Sequence, residues 1–199
     1  MKLVLASGNA GKLKELQAML AGLPLQVVAQ RELGVGEVAE TGLTFVENAL
    51  IKARHACSVT GLPALADDSG LIVDALGGAP GLYSARYAGS PTDDAANNAK
   101  LLDALREVPA ERRSARFYAV IVLLRHADDP QPLICEGSWE GRIIDSPRGS
   151  NGFGYNPVFL DEELGLTAAE MQPEQKNGRS HRAKALQLLL QQLQRQLPH

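Results

Sequence analysis

Short apolar runs alternate with amphipathic stretches along this chain, and the alternation predicts most of its elements. Lys2–Ala6 is an apolar run ending at Ser7-Gly8-Asn9-Ala10-Gly11-Lys12, after which Leu13, Leu16, Met19 and Leu20 recur at helical spacing. The opening is therefore strand, Gly-bearing loop, helix, with a second strand expected at Leu25–Ala29. Thr44-Phe45-Val46-Glu47 has the spacing of a capping box, and its helix reaches Thr60 before Gly61 and Pro63 close it. Ala64–Ala66 and Leu71–Val73 are expected as a strand pair interrupted by Asp67-Asp68-Ser69-Gly70. Gly77–Gly89 holds four Gly and one Pro in thirteen residues, the composition of a loop. A helix over Asp93–Leu105 and a strong strand over Ser114–Arg125 follow, then strands at Leu133–Ser138 and Gly141–Ile144 around Trp139. The Gly-rich loop Gly149–Tyr155 precedes a short strand at Pro157–Leu160, and Thr167-Ala168-Ala169-Glu170 reads as a second capping box opening a short helix. Ser180 can cap a last helix to about Gln196, with Leu186, Leu189, Leu190 and Leu193 on one face. Strands and helices mixed in this way indicate α/β or α+β. No linker, repeat or low-complexity stretch divides residues 1–199, so a single domain is expected.

Composition narrows the function classes. A chain of 199 residues buries roughly 70% of its unfolded surface, enough for a core without disulfides or a structural metal. Twenty Lys and Arg against 23 Asp and Glu give a net charge of −3, which excludes a broad basic footprint for nucleic acid but not a local anion pocket. The longest strongly apolar run, Phe117–Leu124, falls far short of a bilayer span, and the first residues are too short for a secretory segment. Cys57 and Cys135 have no metal spacing and read as reduced thiols. A cytoplasmic protein without membrane or nucleic-acid partners is expected.

Five segments carry candidate chemistry, each with a plainer alternative. Ser7–Lys12 joins a strand to a helix, so its N–H groups, the helix dipole and Lys12 suit an anion, or it is a tight turn with an exposed Lys. It is not a Walker A motif, because only two residues separate its glycines and Leu13 follows the Lys. Asp67-Asp68 after an apolar strand is costly if buried without a cation, or forms an Asx-turn; strand alternation admits one of the two acids to a shared site. On the helix after Thr44, Asn48, Lys52 and His55 share a face that is either solvated or turned towards phosphates. Phe153, held between Gly152 and Gly154, can offer its ring to a flat ligand or belong to the core. Lys176 with Ser180-His181-Arg182 gathers cations at a helix start, where they oppose the dipole and want an anion, or remains solvated.

Together these segments resemble a family. Ser7–Lys12, Glu40-Thr41-Gly42-Leu43-Thr44-Phe45-Val46-Glu47-Asn48-Ala49, Ala66-Asp67-Asp68-Ser69-Gly70-Leu71, Gly77–Tyr87, Gly152-Phe153-Gly154-Tyr155 and Ser180-His181-Arg182 are similar in order and wording to the dITP/XTP pyrophosphatases. The resemblance runs from about Lys2 to the last helix. It implies an elongated α/β fold of two lobes around a central mixed sheet with the nucleotide in the cleft, a homodimer, and a Mg²⁺-dependent hydrolase. ITP, dITP or XTP would be cleaved to the monophosphate and pyrophosphate.

By the same resemblance, Ser7, Gly8, Asn9, Ala10, Gly11 and Lys12 bind the triphosphate and Lys52 reaches the phosphates. Asp68 holds the metal and serves as base, with Ser69 beside it. Phe153, Gly154, Tyr155, Asn156, Lys176, His181 and Arg182 bind the base and its surroundings. Two positions depart from the pattern. Ala39 stands where many members carry a metal-binding acid, so Glu40 is expected as the second ligand, with Glu37 or water as alternatives. Asn156 stands in place of an Asp. The competing readings are a Maf-like pyrophosphatase acting on other modified nucleotides and a nucleotide sensor without catalysis.

Overall fold

The computed structural model describes residues 2–21 and 24–196. The first strand, β1 (Lys2–Ala6), is buried at every position after Lys2, as an apolar run flanked on both sides must be. It pairs in parallel with β2 (Gln26–Ala29) on one side and β3 (Ala64–Val73) on the other. Parallel neighbours need crossovers, and α1 (Ala10–Leu20) and α2 (Phe45–Thr60) supply them. With β4 (Ser114–Leu124), β5 (Leu133–Ile143), β6 (Phe159–Asp161) and β7 (Leu166–Thr167), the sheet has the order β2-β1-β3-β4-β5-β6-β7. The pairs β5–β6 and β6–β7 are antiparallel, so the sheet is mixed and the fold α/β, as expected.

Contacts divide the chain into two compact units. Met1–Asp68, Ala119–Gly137 and Arg182–His199 form the first; Ser69–Tyr118 and Ser138–His181 form the second. The first has a core of Leu3, Leu5, Leu16 and Leu65 from α1 and the parallel strands, with Leu186 and Leu189 of α5 (His181–Gln196). In the second, Phe117, Trp139 and Phe159 pack ring against ring at 4.5–6.1 Å, joined by Leu101 and Leu105 at the end of α3 (Asp94–Ala104).

Four local expectations are corrected. β3 is one continuous strand through Asp67-Asp68-Ser69-Gly70, with no turn there. Asp and Gly are poor strand formers, but here ion pairs compensate the two buried carboxylates and local preference yields to tertiary contacts. β5 likewise passes through Trp139 without a break, burying Cys135, Gly137, Trp139, Gly141 and Ile143 alternately. Within it Gly141 has no room for a side chain, since a Cβ there would lie 2.4 Å from the Leu160 carbonyl oxygen and 2.6 Å from the Phe159 ring. Part of the Gly77–Gly89 loop is a 3-10 turn, Gly81–Arg86. Finally, Glu170 does accept a bond from Thr167 N (2.7 Å), yet Thr167 ends β7 and the next helix, α4, starts only at Pro173 and runs to Asn177.

The capping box at Thr44 forms as expected, and Gly61 ends α2 at φ 66°, a left-handed conformation that suits Gly. Among the described residues no helix is long and apolar enough to cross a membrane.

Candidate active site

The first unit gathers its charges around the middle of β3. α1 starts at Asn9, whose side chain accepts from Lys12 N at 3.0 Å while its own N–H donates to the Ser7 hydroxyl at 3.2 Å. This cap turns the Lys12 side chain inward, and its ammonium meets Asp67 Oδ2 at 3.0 Å. The exposed-Lys alternative for this loop is thereby excluded. Ala10 and Gly11 follow in the first turn, where N–H groups have no carbonyl four residues back. Gly8 is needed for space, since a Cβ would fall 2.5 Å from a Glu37 carboxylate oxygen.

α2 contributes the next layer. Its Asn48 is buried and accepts from Gly42 N at 2.8 Å, and Glu47 Oε2 accepts from Leu43 N and Thr44 N at 2.8 Å each. A Cβ on Gly42 would collide with both side chains, at 2.5 and 2.7 Å. These residues pin the loop that carries Glu40. One turn after Asn48, Lys52 Nζ takes three oxygens: Asp68 Oδ1 at 2.9 Å, Glu40 Oε1 at 3.0 Å and the Asp67 carbonyl at 2.9 Å. The polar face of α2 is therefore turned into the protein at Asn48 and Lys52, not solvated there.

Asp67 and Asp68 are bound differently. The Asp67 carboxylate faces Lys12 and the guanidinium of Arg182, which approaches both its oxygens at 3.2 and 3.4 Å. Arg182 also pairs with Glu15 of α1. Burial pushes the Asp67 carboxyl up, but Arg182 and Lys12 outweigh it and hold it well below the usual carboxylate range. At Asp68 burial wins over Lys52 and Lys12, and the neighbouring Glu40 charge adds to it, so its pKa stands above the ordinary value. Burial pulls Lys52 down, yet Asp68 and Glu40 together leave it raised and charged.

Two carboxylate oxygens converging on one cationic nitrogen form an oxygen set of the kind that Mg²⁺ takes, with waters and phosphates completing the shell. Among the described residues no group of three or more His, Cys, Asp or Glu is arranged to hold a metal ion. Asp68 and Glu40 are the protein groups that fit. Ser69 follows Asp68 in β3, half-buried.

The second unit holds the aromatic loop. Gly152 and Gly154 have φ of 81° and 64°, and Phe153 between them is half-buried. Lys176 Nζ lies 5.4 Å from the centre of the Phe153 ring. Asn156 is buried with its Nδ2 beside Gly152, only 2.1 Å from where a Cβ would stand, and that Nδ2 has no hydrogen-bond partner among the described residues.

Two residues expected to bind the base have partners within the protein. Tyr155 points into the core and donates to the Ser84 carbonyl at 2.7 Å, with burial pushing its phenol up. Arg182 belongs to the first unit's charge cluster. His181 is buried and stacks on Phe117 at 5.1 Å between centroids.

The Ham1 family model matches residues 3–192. The chain belongs to the Ham1 family. Its Ham1 relatives include a dITP/XTP pyrophosphatase of Xanthomonas campestris, 80% identical over 96% of each chain, and one of Xylella fastidiosa, 74% identical over 94% of each. Among solved structures, a HAM1 protein from Coxiella burnetii superposes with a TM-score of 0.91 at 51% identity, covering 98% of this chain and 99% of that one. A dITP/XTP pyrophosphatase from Mycobacterium abscessus gives 0.78 at 46% identity, covering 96% and 99%.

Within this Ham1 chain, sequence reasoning missed Glu15 and the part played by Asp67. Glu15 lies three residues after Lys12, the spacing of neighbours on one helix face, which was the available signal. Nothing in the spacing shows that Arg182, more than a hundred residues away, closes the cluster.

Proposed function

We propose that this Ham1 protein hydrolyses non-standard purine nucleoside triphosphates, ITP, dITP and XTP, to the monophosphate and pyrophosphate. The observation that carries the reading is the buried Asp68, with its raised pKa, sharing Lys52 with Glu40 beside the Lys12 loop. The names of the relatives support the substrate class. A Maf-like specificity and a sensor role are less well supported, because the Phe153 loop and the candidate catalytic acid are both present.

Asp68 takes a proton from the water that attacks the α-phosphorus. A base whose pKa is lifted towards neutrality transfers protons more effectively than an ordinary Asp. Lys12 and Lys52 supply positive charge to the departing pyrophosphate, in a setting where burial strengthens each interaction. Ser7 and the first-turn N–H groups of α1 bind phosphate oxygens. Asp68 and Glu40 would hold Mg²⁺, which neutralises phosphate charge and lowers the pKa of bound water. Phe153 offers its ring to the purine, and Asn156 and Lys176 offer hydrogen-bond donors to its oxo edge. A homodimer in the cytoplasm completes the proposal.

A kinetic panel of ITP, dITP, XTP, GTP and ATP with Mg²⁺ tests it. Hypoxanthine and xanthine present a 6-oxo acceptor and an N1–H donor, and adenine reverses both, a mismatch worth up to about 10⁴-fold. ITP and XTP should exceed GTP, GTP should exceed ATP, and IMP should appear with pyrophosphate. Early IDP with inorganic phosphate would overturn the reading.

A further inference from the structure

Two consecutive asparagines in α3 are buried, at 2% and 8% exposure for Asn97 and Asn98. Asparagine is a poor helix former, so a tertiary role is required of both; Asn98 meets its partners through Nδ2, while its Oδ1 has no hydrogen-bond partner among the described residues. Each reaches out of the helix to a different loop. Asn97 accepts from Ala88 N at 2.7 Å and donates to the Ala85 carbonyl at 3.1 Å. Asn98 Nδ2 donates to the Gly154 carbonyl at 2.9 Å and to the Asp94 carbonyl at 2.8 Å. Two carbonyl partners demand the amine there, which fixes the amide's orientation.

One turn earlier, Asp94 Oδ2 accepts from Gly154 N at 2.7 Å. The start of α3 thus grips Gly154 by both its N–H and its carbonyl. Gly154 is the residue after Phe153 and stands at φ 64°, so its two peptide planes set the direction of the aromatic side chain.

Behind the loop packing gives way to space. A cavity of about 460 Å³ is lined by Asp94, Asn98, Leu102, Pro147, Gly152 and Phe153. The loop's base is tied separately, by Ser150 N and Asn151 N to the Ala169 carbonyl at 3.2 and 2.9 Å.

We propose that Asp94 and Asn98 form a clamp on Gly154 that holds Phe153 in position for the purine base. They are positioning residues, and the inference rests on the reading of the Phe153 loop as base-contacting. The clamp acts on base recognition, while the phosphate-binding residues of the first unit lie outside it.

The test compares Asn98→Asp, Asp94→Ala, Asp94→Asn and Phe153→Ala, assayed with ITP and GTP and with inorganic tripolyphosphate as a base-free competitive inhibitor. Asn98→Asp keeps the shape but sets a carboxylate against two carbonyl oxygens. It should raise KM for ITP about tenfold, the effect of roughly one lost hydrogen-bonded interaction, with kcat within about threefold. The ITP-to-GTP preference should fall while the tripolyphosphate inhibition constant stays unchanged. Asp94→Ala, at an exposed position, should behave alike even if Asn98→Asp fails to fold. Asp94→Asn retains an acceptor and should restore the KM.

Phe153→Ala must itself lower the base preference. If it does not, the reading of the loop fails and the clamp with it. A changed preference in Phe153→Ala, with Asp94→Ala unchanged, overturns the clamp alone. A parallel rise in the tripolyphosphate constant would mean a general loss of structure and would also overturn it.

Discussion

Asp67 and Asp68 are neighbours in β3, both nearly removed from water, and their carboxyl groups are shifted in opposite directions. Around Asp67, a buried guanidinium and an ammonium approach one carboxylate, with Glu15 balancing Arg182 on its other side. Around Asp68, one ammonium is divided between two carboxylates and a carbonyl. The first region is compensated in charge and closed by bidentate geometry, so it holds elements together. The second has more negative than positive charge close by, and so has room for a cation and appetite for a proton. Burial is common to both. The count of opposing charges separates structure from chemistry.

The sharpest way to break this comparison is to exchange the acids. Asp68→Asn should lower kcat at least about 10²-fold, the low end for a general base, with thermal stability kept or raised because the charged form was already disfavoured. Asp67→Ala should do the reverse in emphasis. Removing one partner of a buried pair costs about 3–5 kcal/mol, so denaturant unfolding should shift far more than for Asp68→Asn. Its effect on rate should come through displaced Lys12. Equal stability losses from the two variants would erase the distinction.

Unfolding against pH, in chelator, sharpens the same contrast. Asp67 has a folded pKa below its unfolded one, so its contribution is present above about pH 4, the ordinary Asp value, and is lost as pH falls through the folded value. Asp68 has a raised folded pKa, so the folded state binds the extra proton and stability falls as pH rises from the ordinary value through the raised one. Asp67→Asn should flatten the acid side of the profile and Asp68→Asn the side above it. The smallest effect expected is at Glu40, half-exposed and paired with Lys52. Glu40→Gln should weaken Mg²⁺ activation about tenfold, at the low end for removing a supporting group at a metal site, with little change in stability. A loss as large as that of Asp68→Asn would make Glu40 an equal partner.

Much of this was legible in the chain. The elements with clear periods, α2, α3 and β4, stand within a residue or two of expectation, while α1 starts at Ala10, three residues inside the expected loop. Where a run was short or polar, the reading faltered. β3 was divided because Asp, Ser and Gly are weak strand formers, and β5 was divided at Trp139-Glu140, yet both strands run through without a break. At Thr167 the capping pattern matched and its hydrogen bond forms, but a strand end can use the same bond.

The candidate site divides in the same manner. Ser7–Lys12 could be singled out because it sits at a recognisable junction of strand, loop and helix, whereas Lys52, mid-way along α2, and Asp68, mid-way along β3, took their roles from the resemblance of their motifs. Tyr155 could not be assigned to the core, since nothing local distinguishes a phenol aimed at the Ser84 carbonyl from one aimed at a ligand. The sequence by itself determined most of the order of elements, their mixture of strand and helix, and the capping box of α2, because those depend on residues within a few positions of one another. Only the tertiary structure decided which acid would be locked and which left hungry for a proton. That depends on the distances of Lys12, Lys52, Glu40 and Arg182 from two adjacent carboxylates. Electrostatic energy follows separation in space, and residues 115 positions apart along the chain come within 3.2 Å.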